Sequence, residues 1–295
     1  MINPLFLFMA RSKRRPGAPA SPAQNGEVDW EAWLDELLQE VELAPPGSTP
    51  LEQAQVLIYQ AWDEPDRTRR IELARRALDC SPDCADAWVV LAEEADELAE
   101  ALRCYREGVA AGERVLGPAL LAQECGQLWQ IPEARPYLRA RVGLAQCLWL
   151  LGEQEAAIAH FWELLRLDGG DHLRVRYLLL EALLIRNDLE ALRRLIDMYP
   201  DDESAAWCYS RALVLYRSEG DTLAARQALR EARQANPHVP DYLLGRKKLP
   251  RPLPDYIEPG TVEEAVDYAS VALPYWKNTP GALSWLRGQV ACLRR

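Results

Sequence analysis

Residues 138–168 read LRARVGLAQCLWLLGEQEAAIAHFWELLRLD, and the fold turns on them. Apolar residues recur every three to four positions on both sides of Gly152 and Glu153. That period is one face of an α-helix, and glycine is the residue that lets a chain bend sharply between two helices. Ala157, Phe161 and Leu164 mark the buried face of the second helix. The stretch therefore predicts an antiparallel helical hairpin. One hairpin cannot bury its own apolar face, so it implies neighbours of the same kind.

Such neighbours can be read outward in both directions. Downstream, Asp171 is placed to cap a helix with Val175, Leu178, Leu179 and Ala182. Asn187 and Asp188 make its turn, and Ala191, Leu192, Leu195 and Ile196 line the return helix, which Pro200 closes. A further hairpin starts at Asp202 or Ser204, carries Tyr209, Ala212, Leu213 and Tyr216, and turns at Gly220 and Asp221. It returns through Ala225, Leu229 and Ala232 and ends at Asn236 and Pro237. Gly152 and Gly220 are 68 residues apart, twice the period of about 34 residues of a tetratricopeptide repeat.

Upstream, Asp29 is a plausible cap for a helix with Trp30, Trp33, Leu34, Leu37, Leu38 and Val41, stopped by Pro45, Pro46 and Gly47. Ser48 or Thr49 caps the next, with Pro50 at its first position and Leu51, Ala54, Leu57, Ile58 and Ala61 on one face. Ile71, Ala74, Ala77 and Leu78 mark another, ended by Pro82. The hairpin after Cys84 places small residues, Ala92 and Ala101, where two helices approach, with Trp88 and Tyr105 filling the space beside them. Residues 117–133 break the period. They predict an extra packed helix, because long structureless loops inside compact domains are uncommon.

The fold class expected is all-α: a right-handed α-solenoid of tetratricopeptide-like hairpins, with an inserted helix and C-terminal capping helices. Residues 1–26 read as a Pro-, Ala- and Ser-rich disordered tail holding the basic cluster Arg11 to Arg15. Residues 27–237 form the array. Residues 238–295 are a proline-rich connection and two capping helices, one begun by Thr261 and one carrying Leu283, Leu286 and Val290. The apolar run at residues 4–10 is far shorter than the ~20 residues of a membrane span.

Composition limits the function. The chain carries 34 basic and 45 acidic side chains, a net charge of −11. That argues against a nucleic-acid-binding surface. Seven cysteines lie scattered through helical segments, which fits free thiols in a reducing compartment, and we expect the cytoplasm. Cys80 and Cys84 lack the second ligand pair of a zinc site. No phosphate loop, dinucleotide fingerprint, nucleophile elbow or zinc-protease helix occurs. The three histidines, His160, His172 and His238, stand apart from one another in the chain. No enzyme activity, cofactor or metal is expected.

The C-terminal third carries a specific likeness. The stretches NPHVPDYLLGRKKLP (236–250), LPDYIEPGTVEEAVDYA (253–269) and YWKNTPGALSWL (275–286) resemble tetratricopeptide-like proteins related to the suppressor-of-tumorigenicity-seven family. GQLWQIPEARPYLRARVGLAQCLWLLGE (126–153) and VRYLLL (175–180) look like bacterial members of that group. The resemblance covers most of residues 73–286 in order. It implies a helical repeat protein without known catalytic residues. Eukaryotic relatives carry membrane-spanning segments near their N-termini, and no such segment is read here.

In an array of this kind the first helix of each hairpin lines the concave face. Helical phase places Arg139, Val142, Gln146 and Trp149 there, then Arg176, Leu180 and Leu183, then Trp207, Ser210, Val214 and Arg217. Arg139, Gln146, Trp149, Arg176, Trp207 and Arg217 are the candidate partner-binding residues. Arginine forks beside rigid aromatic rings suit a protein or peptide segment with carboxylates and an apolar anchor. The alternative is that the tryptophans pack between helices and the arginines pair with acidic neighbours. The function expected is a non-catalytic interaction scaffold. A self-assembling structural module is the second reading, and a cryptic metal protein or enzyme the third.

Overall fold

The computed structural model describes residues 48–123, 126–254 and 256–292. Among them lie thirteen α-helices and no strand. The expected helix after Asp29, the basic cluster Arg11 to Arg15 and the tail at residues 1–26 fall outside the described residues. The chain divides into two compact units, with the boundary between Arg176 and Tyr177.

The first unit holds six helices. They are α1 (Pro50–Asp63), α2 (Arg67–Cys80), α3 (Ala85–Glu93), α4 (Leu98–Gln123), α5 (Arg135–Leu150) and α6 (Gln154–Leu167). Thr49, not Ser48, caps α1. Its hydroxyl accepts from the Glu52 N–H while the Glu52 carboxylate accepts from the Thr49 N–H. This reciprocal pair satisfies two amides that a helix start leaves without partners. Ala54, Ile58 and Ala61 are fully buried. Consecutive helices pack as hairpins, α1 on α2, α3 on α4 and α5 on α6. The first helices also touch in series, α1 with α3 and α3 with α5, while α2 meets α3 and α4 meets α5. This is how hairpins stack when none can hide its apolar face unaided.

Close approach of α4 and α5 depends on two glycine–tyrosine contacts. A Cβ on Gly143 of α5 would sit 2.1 Å from the Tyr105 ring of α4. A Cβ on Gly112 of α4 would sit 2.6 Å from the Tyr137 Cβ of α5. Each missing side chain makes room for a ring that fills the groove beside it. Tyr105 is 2% exposed and Tyr137 1%.

The interruption at residues 117–133 takes a different form from a separate packed helix. Gly117 (φ 69°) kinks α4, which resumes at Pro118 and runs to Gln123. Two short 3-10 turns come next, Leu128–Gln130 and Pro132–Ala134. They are tied down by an antiparallel bridge between Gln127 and Asp168 and by the fully buried Leu128. Proline stops the backbone donating at that point and glycine permits the bend, so α4 is kinked there.

The second unit contains most of α7 (Val175–Arg186), then α8 (Leu189–Met198), α9 (Ala205–Glu219), α10 (Leu223–Ala235), the single turn α11 (Val239–Leu243), α12 (Val262–Asn278) and α13 (Ala282–Cys292). Ser204 caps α9 by accepting from the Trp207 N–H. Gly220 ends α9 at φ 74°, and Gly152 takes φ 86° at the bend between α5 and α6. Both glycines take positive φ at a helix end, but the bends differ: the Glu153 and Gly152 N–H groups donate back to the Leu148 and Trp149 carbonyls, whereas the Gly220 N–H donates to the Tyr216 carbonyl. The core gathers Tyr209, Leu213, Leu229, Trp276 and Leu286. The α12 helix packs on α9, and its Glu264 carboxylate accepts from the Ala205 N–H, the Asn236 side-chain amide and the Gly260 N–H. One buried carboxylate therefore ties the starts of α9 and α12 to the end of α10.

Candidate partner-binding surfaces

The six residues picked out by helical phase divide between the units, four in the first and two in the second. Arg139 projects from α5 to Asp86 in the first turn of α3. Its Nε donates to one carboxylate oxygen at 2.8 Å and a terminal nitrogen donates to the other. Asp86 is fully buried and also accepts from the Gln55 amide of α1 at 3.1 Å. The Arg139 guanidinium lies over the Trp62 ring, 5.2 Å from its centroid. Arg139 thus joins three first-of-pair helices from within.

Gln146 and Trp149 are 5% and 4% exposed. Arg176 pairs with Asp171 at 3.0 Å. Asp171 also accepts from the Val175 and Arg176 N–H groups, so it caps α7 as its position suggested. Burial pushes the Asp171 carboxyl up, against the hydrogen bonds and the arginine charge that pull it down.

In the second unit, Trp207 is 1% exposed and meets Tyr177 and Tyr199 edge-on. Arg217 donates through Nε to the Thr279 hydroxyl at 2.7 Å and through a terminal nitrogen to the Tyr275 carbonyl. Burial holds its pKa below the usual arginine value. The expectation that these tryptophans and arginines present open platforms is therefore corrected. The rings are packed and the guanidinium groups are engaged internally, because an aromatic side chain at such a phase buries more area between helices than on a free face. Nearby Glu181 of α7 is pushed up to about 7 by burial and by the Asp267 carboxylate.

A different surface is open. In the first unit, α2, α3 and the first half of α4 enclose a groove of about 730 Å³. Ile71, Trp88 and Leu91 give it an apolar lining, all three half-buried. Trp88 is fixed by donating its indole N–H to the Pro82 carbonyl at 3.2 Å. Around this lining stand Arg67, Arg75, Arg103 and Arg106, with Glu94, Asp96, Glu100 and Glu107. Arg67 takes up Asp96 at 2.8 Å and Arg70 takes up Glu94 at 3.0 Å. Arg75, Arg103 and Arg106 are exposed and have no ion-pair partner among the described residues. Burial pushes the Cys104 thiol up, so it stays protonated beside them.

Sequence reasoning passed over this groove. Trp88 and Leu91 carry the same period as core residues. The available signal was α2 itself, RTRRIELARRALDC, with five arginines against Glu72 and Asp79 in a chain of net charge −11.

No helix among the described residues is long and apolar enough to cross a membrane. No group of three or more His, Cys, Asp or Glu side chains that could hold a metal ion occurs among them.

The model of the family described as "ST7 protein" matches residues 48–290. The chain belongs to the ST7 family. A suppressor of tumorigenicity 7 protein-like protein from Bos taurus is 31% identical over 265 residues, covering 80% of this chain and 47% of that protein. The Homo sapiens counterpart is 30% identical, with 80% and 45% covered. Suppressor of tumorigenicity 7 protein from Mus musculus is 28% identical over 286 residues, with 81% and 49% covered. This ST7-family chain therefore spans about half the length of the curated relatives it matches. The resemblance read from the C-terminal third is the family to which the chain belongs.

Proposed function

We propose that this ST7-family chain is a non-catalytic interaction scaffold, and that the groove on α2, α3 and α4 takes an acidic segment of a partner protein with apolar anchors. The observation that carries this reading is the groove's make-up. Three arginines with no ion-pair partner among the described residues surround an apolar lining that includes a fixed, half-buried tryptophan. Guanidinium forks recognise carboxylates bidentately, and aromatic residues are the usual anchors of protein interfaces. Arg139, Gln146, Trp149, Arg176, Trp207 and Arg217 then act as framework, a role that their burial and internal pairing support. The serial contacts of α1, α3 and α5 support a tetratricopeptide-like array. Free thiols at Cys80, Cys84, Cys104, Cys147 and Cys208 support a reducing compartment, and the cytoplasm is the one we propose.

The test is binding of arrayed peptides to the full chain. Acidic peptides bearing Trp or Leu anchors should be retained over their Lys-substituted counterparts, and R75E/R103E/R106E should abolish that preference. Equal retention of acidic and basic peptides would sink the reading.

A further inference from the structure

The N-terminal part of the chain supplies a segment with the chemistry this groove selects. Residues 29–42, DWEAWLDELLQEVE, contain six carboxylates (Asp29, Glu31, Asp35, Glu36, Glu40 and Glu42) and no basic side chain. Read at 3.6 residues per turn, Trp30, Trp33, Leu34, Leu37, Leu38 and Val41 fall on one face. The segment lies outside the described residues. The helix that walls the groove, α2, has the opposite balance, with five arginines against two carboxylates. Charge of both signs is therefore concentrated in two nearby stretches of one chain, and each stretch borders apolar side chains.

Length permits the two to meet. Seven residues, 43–49, join the segment to Pro50 at the start of α1 and can span about 24 Å when extended. That reach is longer than the spacing of about 8–10 Å between packed helices. The groove runs along α2 from Arg67 to Arg75, eight residues or about 12 Å.

We propose that the acidic segment 29–42 of this same chain seats its tryptophan-bearing face in the α2–α3–α4 groove, against Arg75, Arg103 and Arg106, and competes there with an external partner. The inference rests on the groove's preference for acidic segments proposed above and adds its regulation. Tethering raises the local concentration of the segment without any new contact, so a free ligand must displace it. The segment's contact is part electrostatic and weakens as salt screens the arginines.

Two measurements on the full chain test it. In amide hydrogen exchange, the backbone of residues 31–42 is protected in the parent chain, and R75E/R103E/R106E removes that protection. Unprotected amides in the parent overturn the proposal, as does protection lost on dilution, which would assign the groove to a second copy. The second measurement is binding of a labelled peptide of residues 27–43 to the parent and to W33D/L37D. That variant alters only the tethered competitor, so it keeps the test open if the arginine variant fails to fold. The peptide should bind W33D/L37D about tenfold tighter or more, because the competent groove is no longer occupied. Equal binding to both chains overturns the tethered occupant and leaves the groove's preference standing. Binding to neither overturns both.

Discussion

The fully buried carboxylate of Asp86 on α3 is held by the guanidinium of Arg139 on α5, 53 residues further along the chain. The pair is asymmetric, since the Arg139 side chain keeps 29% of its exposure and that of Asp86 none. Removing the arginine strands a buried charge, whereas removing the acid leaves an arginine that can turn to water. Arg139→Ala should cost about 3–5 kcal/mol. Asp86→Asn should cost less, because the amide carries no charge to desolvate. Urea unfolding midpoints of the two variants check the order, and a smaller loss for Arg139→Ala would show that the pair does not hold the first helices together.

Gly143 and Gly288 are both helical glycines, yet alanine should act on them with opposite sign. At Gly143 the new Cβ would lie 2.1 Å from the buried Tyr105 ring. Relief requires α4 and α5 to separate, at about 3 kcal/mol or more. At Gly288 of α13 nothing lies within 4 Å of the new atom, and alanine's better helix propensity should stabilise by about 0.5–1 kcal/mol. Thermal melting of the two variants distinguishes close packing from a general sensitivity to substitution.

Glu181 should make the chain less stable as pH rises. Its folded carboxyl is pushed up to about 7, against about 4.3 in an unfolded chain. Between these values the unfolded state has released the proton and the folded state still holds it. Unfolding then releases a proton, so stability falls with rising pH through this window and levels off above it. The loss reaches about 3 kcal/mol by linkage. Glu181→Gln removes this slope. Taking the two as equal at pH 4, where both states hold the proton, the variant should be more stable than the parent at pH 8, as read from the difference in unfolding free energy at each pH.

The thiols should react in an order set by burial. Cys80 is exposed. Burial pushes the Cys84 thiol up to about 11 and the Cys147 thiol up to about 12. Thiolate is the reactive form. Iodoacetamide at pH 8, followed by peptide mass mapping, should label Cys80 well before Cys84 or Cys147. Early labelling of Cys147 would mean that α5 opens locally.

Much of the local architecture was legible beforehand. The apolar period of 3.6 residues, caps such as Thr49 and Ser204, and the turn glycines Gly152 and Gly220 are signals confined to a few neighbouring residues, and most of the described helices stand where such signals lie; the turn Val239–Leu243 falls in what was read as a proline-rich connection. The kink at Gly117 was read as a boundary but not as a continuation, because a glycine–proline pair specifies a bend without fixing the conformation of the residues after it. The candidate surface was not legible. Helical phase names a face but not its neighbour, so Trp149 and Trp207 looked like platforms when other helices already covered them.

Sequence by itself determined, for most of the described helices, where they would lie and which stripe would turn inward, because capping and periodic burial act over one or two turns of chain. Tertiary structure alone decided which charges met and which were left over. Asp86 finds Arg139 across 53 residues, while Arg75, Arg103 and Arg106 find no carboxylate among the described residues. Coulomb attraction and burial depend on distance through space, and that distance is set only once the hairpins have stacked.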